Sequence, residues 1–96
     1  MKNKLNLLAP VIKRNASSAV IQRSDEYLTR IDDLQVNFTT SVIRAKVNNG
    51  RGDTYDVKWN LDSRRVSCTC PAHRNRITLP CKHAVAVFRK VYHEFN

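Results

Sequence analysis

In the middle of the chain, hydrophobic and polar residues alternate with a period of two, which is typical of β-strands that bury one face. The alternation starts at Val36, and its apolar register shifts by one position near Thr40 and Ser41 before it continues to Val47. Such a shift predicts a bulge or a bend. Both glycines of the chain then fall within residues 48–53, a composition that predicts a hairpin loop.

The alternation resumes beyond this loop. Residues 55, 57, 59 and 61 are apolar and their neighbours are polar, which predicts a strand with Trp59 on its buried face. Trp59 is therefore expected to anchor the core instead of stacking on a base. Asp62 and Ser63 predict a turn into a further strand that ends near Cys70. Together these segments predict a three-stranded antiparallel meander.

Helical periodicity marks both ends of the chain. Pro10 suits a first helical turn, and apolar residues recur at helical spacing as far as residue 23, so we predict a helix over residues 10–23. Residues 27–34 fit either a continuing helix or a short strand, and Asp32 and Asp33 are predicted to end that segment. Residues 82–94 place apolar side chains along one stripe, which predicts a helix that covers the sheet.

These elements define a small α+β fold: an antiparallel β-meander with a C-terminal helix, forming a ββα core, and an N-terminal helical segment. A chain of 96 residues with 42% hydrophobic content suits one small domain with a modest core. We divide the chain into an N-terminal arm and helical segment over residues 1–41, packed on a unit that comprises residues 42–96.

All three cysteines of the chain stand in two closely spaced pairs, Cys68-Thr69-Cys70 and Cys81-Lys82-His83, with ten residues between them. Three thiolates and one imidazole complete the tetrahedral coordination of a structural Zn²⁺ and leave no open position for a substrate. On an extended strand, Cys68 and Cys70 would face the same side. Pro80 precedes the second pair, which places Cys81 and His83 at a helix N-terminus.

The cysteines and the choice of histidine are open to other interpretations. Cysteine also behaves as a small buried hydrophobe, but three cysteines of that kind would be scattered along the sequence. An odd number of cysteines without a secretory segment argues against a disulfide framework. His73 is a rival ligand, although its use would leave the second pair with one residue, so a solvated loop histidine is the preferred interpretation.

With this spacing the chain resembles the SWIM zinc-finger family, whose pattern is C-x-C, a variable spacer and C-x-H in a strand-strand-helix arrangement. The segments from Val66 to Pro71 and from Pro80 to Val87 match the two halves, and the resemblance covers roughly residues 42–92. It implies that residues 42–96 form a SWIM-type zinc-finger domain. Carried over residue by residue, the zinc ligands would be Cys68, Cys70, Cys81 and His83. The family's association with recombination, transposition and helicase proteins implies nucleic acid or a protein of those classes as the partner.

Positive charge is concentrated in the same region. The formal net charge is +9, and the segment from Ser63 to Lys90 holds seven basic residues and no acidic one. The seven candidate nucleic-acid contacts are Arg64, Arg65, Arg74, Arg76, Lys82, Arg89 and Lys90. Such groups bind polyanions through counterion release. The alternative is a solubilising surface that balances an anionic zinc-thiolate centre.

The leading hypothesis is a zinc-binding module that binds nucleic acid, DNA in preference to RNA, mainly through phosphate contacts. The alternative is an adaptor that docks onto a protein partner such as a recombinase or its paralogue, and a third possibility is an accessory fragment of a transposase-like or helicase-like machine.

The sequence also argues against other classes of function. No nucleophile stands beside a base, and Asp32 and Asp33 point in different directions, so we expect neither an enzyme nor a small-molecule substrate. No apolar stretch approaches the length needed to cross a bilayer, so no membrane association is expected. The chain is expected to be intracellular: cytoplasmic, or nuclear in a eukaryote.

Overall fold

The computed structural model describes residues 6, 9–10, 12, 18–71 and 81–95, which fold as a four-stranded antiparallel sheet covered on one face by helices. The elements are α1 (Ser18–Ser24), a 3₁₀-helix (Asp25–Tyr27), β1 (Ile31–Asn37), β2 (Val42–Asn48), β3 (Thr54–Asn60), β4 (Arg65–Cys68) and α2 (Lys82–Phe95). The strands are hydrogen-bonded in their chain order, β1-β2-β3-β4. The predicted α+β class, with a C-terminal and an N-terminal helix, is confirmed.

The period-two pattern of the sequence separates the two faces of the sheet. On the inner face, Trp59 lies between Ile43 of β2 and Val66 of β4, and all three side chains are buried. The intervening residues of β2, β3 and β4 point outward and are exposed. The hairpin loop predicted for residues 48–53 lies between β2 and β3, so the alternation and the glycines located both strands correctly.

The number of strands was wrong, because the predicted bend near Thr40 and Ser41 is a complete turn that separates β1 from β2. The side-chain oxygen of Asn37 accepts hydrogen bonds from the backbone N–H groups of Thr39 and Thr40, at 3.0 and 3.1 Å. Ser41 then adopts a left-handed conformation, with φ of 58°. An asparagine that bonds to the backbone two and three residues ahead reverses the chain without any glycine. The meander therefore has four strands instead of three.

Asp32 and Asp33 do not end an element, as the sequence suggested, but lie inside β1. The pairing of β1 with β2 shifts register between Asp32 and Gln35, and Asp33 has φ of 51°. A bulge accommodates an extra residue in the left-handed region, and aspartate tolerates that region better than most residues. The ambiguous segment 27–34 is consequently divided between the 3₁₀-helix, which ends at Tyr27, and the strand, which begins at Ile31.

Helix α2 covers the inner face of the sheet, and α1 packs against α2. The bounds of α2 match the predicted helix, and the side chains of Ala84, Val87 and Phe88 are buried. The predicted helix over 10–23 is described only in part: residues 10 and 12 and the segment 18–24 are helical, and the other residues of that range lie outside the described part. None of the helices in the described part of the chain has the length and hydropathy needed to span a bilayer.

Candidate metal centre

The structure brings together the two pairs of candidate metal ligands that the sequence predicted. Cys68 ends β4, Cys70 lies two residues further on, Cys81 immediately precedes α2, and His83 is in the first turn of that helix. All four side chains are buried, and the atoms that they could offer to a metal lie within 4.8 Å of one another. None of the three cysteines forms a disulfide bond. Buried thiols in this arrangement are typical of a metal site.

Continued pairing beyond β4 orients the first two cysteines. Cys68 pairs with Val57 of β3, and the N–H of Thr69 donates to the carbonyl of Asp56 at 3.1 Å. The N–H of Asp56 donates in return to the hydroxyl of Thr69 at 2.9 Å. Because Thr69 faces outward and the backbone remains held, Cys68 and Cys70 both point inward, as alternation along a strand requires.

The thiol of Cys81 caps helix α2. The N–H of Ala84 donates to its sulfur at 3.5 Å, and the N–H of Val85 donates to its carbonyl at 2.9 Å. The sulfur thus takes the position that a serine or aspartate oxygen occupies at other helix N-termini. Hydrogen bonds from Cys68 and then from His83 and the Ala84 N–H lower the pKa of Cys81 to about 3, against the effect of burial.

Cys68 shows the opposite shift. Its hydrogen bond to Cys81 and its burial both raise the pKa of the Cys68 thiol above its ordinary value. Without a metal ion, we therefore expect Cys68 and Cys81 to share one proton. A metal ion would take the place of this shared proton, because metal ligation requires thiolates.

His83 presents its Nδ1 atom to the sulfurs. Nδ1 lies 4.0 Å from Sγ of Cys68 and 3.9 Å from Sγ of Cys81. Tetrahedral zinc with ordinary bond lengths separates its nitrogen and sulfur ligands by roughly 3.6 Å, so small adjustments would let the ion bind. The rings of Tyr27 and Tyr55 pack on the imidazole, with centroid distances of 4.6 and 4.8 Å. The donor set and its geometry therefore fit a metal ion held by Cys68, Cys70, Cys81 and His83.

Two thiols at the end of the last strand and a thiol and an imidazole at the start of the following helix form an arrangement that is typical of zinc fingers. Residues 55–92 match the family model of the SWIM zinc finger, and all four candidate ligands lie within that match. Within residues 55–92 the chain therefore resembles a SWIM zinc finger both in sequence and in the placement of the candidate ligands. Neither the search of curated proteins nor the search of solved structures found a significant match to the chain.

The seven basic residues selected from the sequence differ in their surroundings. Arg64 and Arg65 are exposed at the start of β4, and Lys82 and Lys90 are half-buried on α2. Arg74 and Arg76, like the rival ligand His73, lie outside the described residues.

Arg89 has an evident structural role. Its guanidinium forms an ion pair with Asp25, donates to the hydroxyl of Ser24 at 2.8 Å and bonds to the carbonyl of Ile21. Arg89 thus links α2 to the end of α1 and the 3₁₀-helix, and less of its charge is available to a partner.

Several exposed basic residues outside the segment 63–90 were missed. Arg44 and Lys46 on β2 and Lys58 on β3 all face outward from the sheet. The period-two alternation that predicted the strands already assigned them to the outer face. They lie outside the acid-free segment 63–90 from which the candidate contacts were taken.

We expect zinc affinity to fall as the pH is lowered from about 7.5 to 5.5. The metal-bound state holds fewer protons than the metal-free state, which keeps at least the proton on Cys68, whose pKa is raised. Raising the pH therefore favours the zinc-bound state. We expect at least one proton to be released for each zinc ion bound near pH 7, which corresponds to an affinity gain of about tenfold per pH unit. Calorimetric titrations in two buffers of different ionisation enthalpy measure this release. Equal heats in both buffers would contradict the expectation.

Proposed function

We propose that the chain is a non-catalytic, zinc-binding module that binds nucleic acid, with DNA as the favoured ligand, through an exposed basic surface. The zinc ion holds the start of α2 against the end of β4, and four protein ligands leave it no position at which a substrate could bind. Its contribution is structural. The contacts with nucleic acid are then made by side chains on elements that the ion fixes in place.

The observation that carries this proposal is a pair of like charges on the outer face of the sheet. Arg44 of β2 lies directly opposite Lys58 of β3, and both side chains are exposed. The residues paired with them on their other sides are Gln35 of β1 and Ser67 of β4, so no carboxylate lies directly opposite either cation.

The adjacent set of cross-strand neighbours on this face carries charges of both signs. Lys46 lies opposite Asp32 on one side and Asp56 on the other. Opposite charges across strands stabilise a sheet, whereas like charges directly opposite one another destabilise it. A polyanion bound along Arg44 and Lys58 would reduce the repulsion between them. The counterions released from the polyanion would also favour binding. Arg64 and Arg65, exposed at the start of β4, extend the positive charge of this face.

A salt titration tests the proposal. Binding of the zinc-loaded chain to single-stranded DNA, double-stranded DNA and RNA of one sequence is measured by fluorescence anisotropy between about 50 and 200 mM salt. We expect the double variant Arg44→Gln with Lys58→Gln to bind more weakly. The slope of log affinity against log salt should become shallower by about 2, because two phosphate contacts are lost. Thermal stability should be unchanged or higher, because the cross-strand repulsion is removed.

The variant Arg23→Gln serves as the control. Arg23 is exposed on α1, which packs against α2 on the other side of the sheet, so its loss should leave the slope unchanged. A wild-type chain that binds none of the three ligands at low salt would refute the proposal, as would an equal effect of the control on the salt slope.

Failure of that test would favour the adaptor role, in which the partner is a protein of the recombination, transposition or helicase class. One observation supports this second candidate. Phe38, in the turn between β1 and β2, is 59% exposed, and no other large hydrophobic side chain in the described ranges is exposed. An exposed aromatic residue of this kind is a common anchor in protein interfaces.

A further inference from the structure

A polar cleft of about 490 Å³ lies beside the candidate metal centre. Its walls come from the 3₁₀-helix and the turn after it, from the loop between β2 and β3, and from the first turn of α2. Three basic side chains line it, those of Arg30, Arg51 and Lys82, together with one carboxylate, Glu26. His83 also lines the cleft, so the cleft and the metal centre share a residue.

Two of the three cations are positioned by contacts within the fold. The Nζ atom of Lys82 lies 5.4 Å from the centre of the Tyr27 ring, and Cζ of Arg30 lies 5.8 Å from the same centre. Arg30 also donates from Nη1 to the carbonyl of Asn49 at 3.0 Å. A Cβ atom on Gly50 would lie 2.5 Å from this Nη1, so the guanidinium lies directly on the glycine backbone. Arg30 is therefore held in place before any ligand binds.

Carboxylates of the described residues do not balance the positive charge of the cleft. Within the ranges 18–71 and 81–95, the one ion pair joins Arg89 to Asp25, and none of the three cleft cations pairs with a carboxylate. With Glu26 included, the lining carries three positive charges against one negative charge. Cations that are held by aromatic and backbone contacts, and not by carboxylates, remain available to an anionic ligand.

The imidazole of His83 supplies a second, independent indication of a ligand. The residue is 4% exposed, and its Nε2 atom has no hydrogen-bond partner among the described residues. Once Nδ1 binds a metal ion, the ring proton must reside on Nε2, which becomes an obligate donor. A ligating histidine normally gives this proton to a carboxylate, a carbonyl or a water molecule. His83 lines the cleft, as do Tyr27 and Tyr55, which pack on its ring, and we therefore infer that an oxygen of a ligand in the cleft accepts this proton.

We propose that this cleft binds a phosphate group of the nucleic-acid backbone, with Arg30, Arg51 and Lys82 as its charged contacts and the Nε2–H of His83 as a donor to an oxygen inside the cleft. The inference rests on the proposed function and specifies it, because it identifies a defined phosphate site in addition to the diffuse charge of the outer sheet face. It also couples the two chemistries of the protein: the metal ion fixes the histidine tautomer that the anion uses.

The first test uses inorganic phosphate as the probe on the uniformly ¹⁵N-labelled, zinc-loaded chain. We expect saturable shifts of the His83 ring nitrogens and of the Gly50 amide as phosphate is added, and an Nε2–H signal that is absent from the metal-free chain. The double variant Arg51→Gln with Lys82→Gln should bind phosphate roughly tenfold more weakly. Arg51→Gln alone should show part of this loss, and Arg51, unlike Lys82, does not adjoin a candidate metal ligand in the sequence.

The outer-face variant Arg44→Gln with Lys58→Gln is the matched control, since it removes the same charge and leaves the cleft intact. It should bind inorganic phosphate as the wild type does. If phosphate leaves the His83 and Gly50 signals unmoved, or if the control weakens phosphate binding as much as the cleft variant, the proposal is overturned.

A second arm identifies the source of the phosphate. A single-stranded DNA oligonucleotide should displace inorganic phosphate from the cleft, and the cleft variant should bind this DNA more weakly at equal zinc content. If the outer-face variant weakens DNA binding and the cleft variant does not, the cleft proposal is overturned. The proposed function then still stands. The chain could instead bind inorganic phosphate while DNA neither binds to it nor displaces the phosphate. That result would refute the proposed function, and it would also overturn the assignment of the cleft to nucleic acid, because the ligand of the cleft would then be free phosphate.

Discussion

The Cys70→Ala variant is expected to lose its bound zinc and, with it, the cooperative unfolding transition of the wild-type chain. Cys70 is 2% exposed and belongs to the four-residue cluster. Structural zinc sites contribute an apparent binding free energy of about 10–16 kcal/mol, which is comparable to or larger than the net stability of a small domain, about 5–15 kcal/mol. Elemental analysis measures the zinc, and circular dichroism during thermal unfolding measures the cooperativity.

The matched control is Ser67→Ala, on the exposed side of β4 one residue before Cys68. It should retain one zinc per chain and unfold as the wild type does, because an exposed substitution of this kind changes stability by less than about 0.5 kcal/mol. Prolonged treatment of the wild type with a strong chelator should reproduce the Cys70→Ala behaviour. A Cys70→Ala chain that keeps its zinc and a sharp transition would rule out the four-ligand assignment.

The second large effect is expected at Trp59. Its ring is 2% exposed and contacts Phe88, with a centroid distance of 5.5 Å, and its indole N–H donates to the carbonyl of Ala84 at 2.9 Å. Trp59→Ala should lower the free energy of unfolding by about 3–5 kcal/mol through loss of packing. Because Ala84 directly follows the ligand His83, the variant should also weaken zinc binding. Denaturant unfolding at a fixed free zinc concentration measures both effects.

Two further substitutions separate packing from hydrogen bonding. Trp59→Phe keeps a ring in the core but removes the donor to Ala84, and should cost less than the alanine substitution, about 1–2 kcal/mol. Phe38→Ala removes an aromatic ring of similar size from a position that is 59% exposed, and should change stability by less than about 0.5 kcal/mol. Equal losses for Trp59→Ala and Phe38→Ala would contradict the role of Trp59 as the anchor between the sheet and α2.

The sequence was most informative where the physical cause is local. The spacing of the cysteines and the glycines at residues 50 and 52 act over a few positions, so the ligand cluster and the β2–β3 hairpin were predictable. The amphipathic stripe of α2 is equally local, because one helical turn determines which side chains share a face. Local signals of this kind need no knowledge of the rest of the fold.

The errors arose where local patterns compete. Asn37 reverses the chain with its side chain, so the turn between β1 and β2 lacks the glycine that signals most hairpins. Asp32 and Asp33 are poor strand residues, yet pairing with β2 holds them in β1 through a bulge. In both cases backbone pairing with a neighbouring strand outweighed the preference of the individual residues.

The cleft and the role of Arg89 could not have been predicted from the sequence, because their parts are far apart along the chain. Arg89 and Asp25 are separated by 64 residues, and they meet only when α1 packs on α2. The cleft combines Arg30, Arg51 and Lys82, which belong to three different segments. Proximity of this kind depends on the order of the strands and on the helix that covers them, and no periodicity in the sequence encodes it.

The placement of the four candidate ligands has a consequence for how the finger tolerates change. Cys68 and Cys70 lie at or just beyond the end of β4, and Cys81 and His83 lie at the start of α2, so a metal ion bound by all four would connect the sheet to the helix directly. The free energy needed to close a flexible loop grows only logarithmically, by about 0.6 kcal/mol for each doubling of its length. Because the ion would make this connection, we expect a change in the length of the segment between the two pairs to cost little stability.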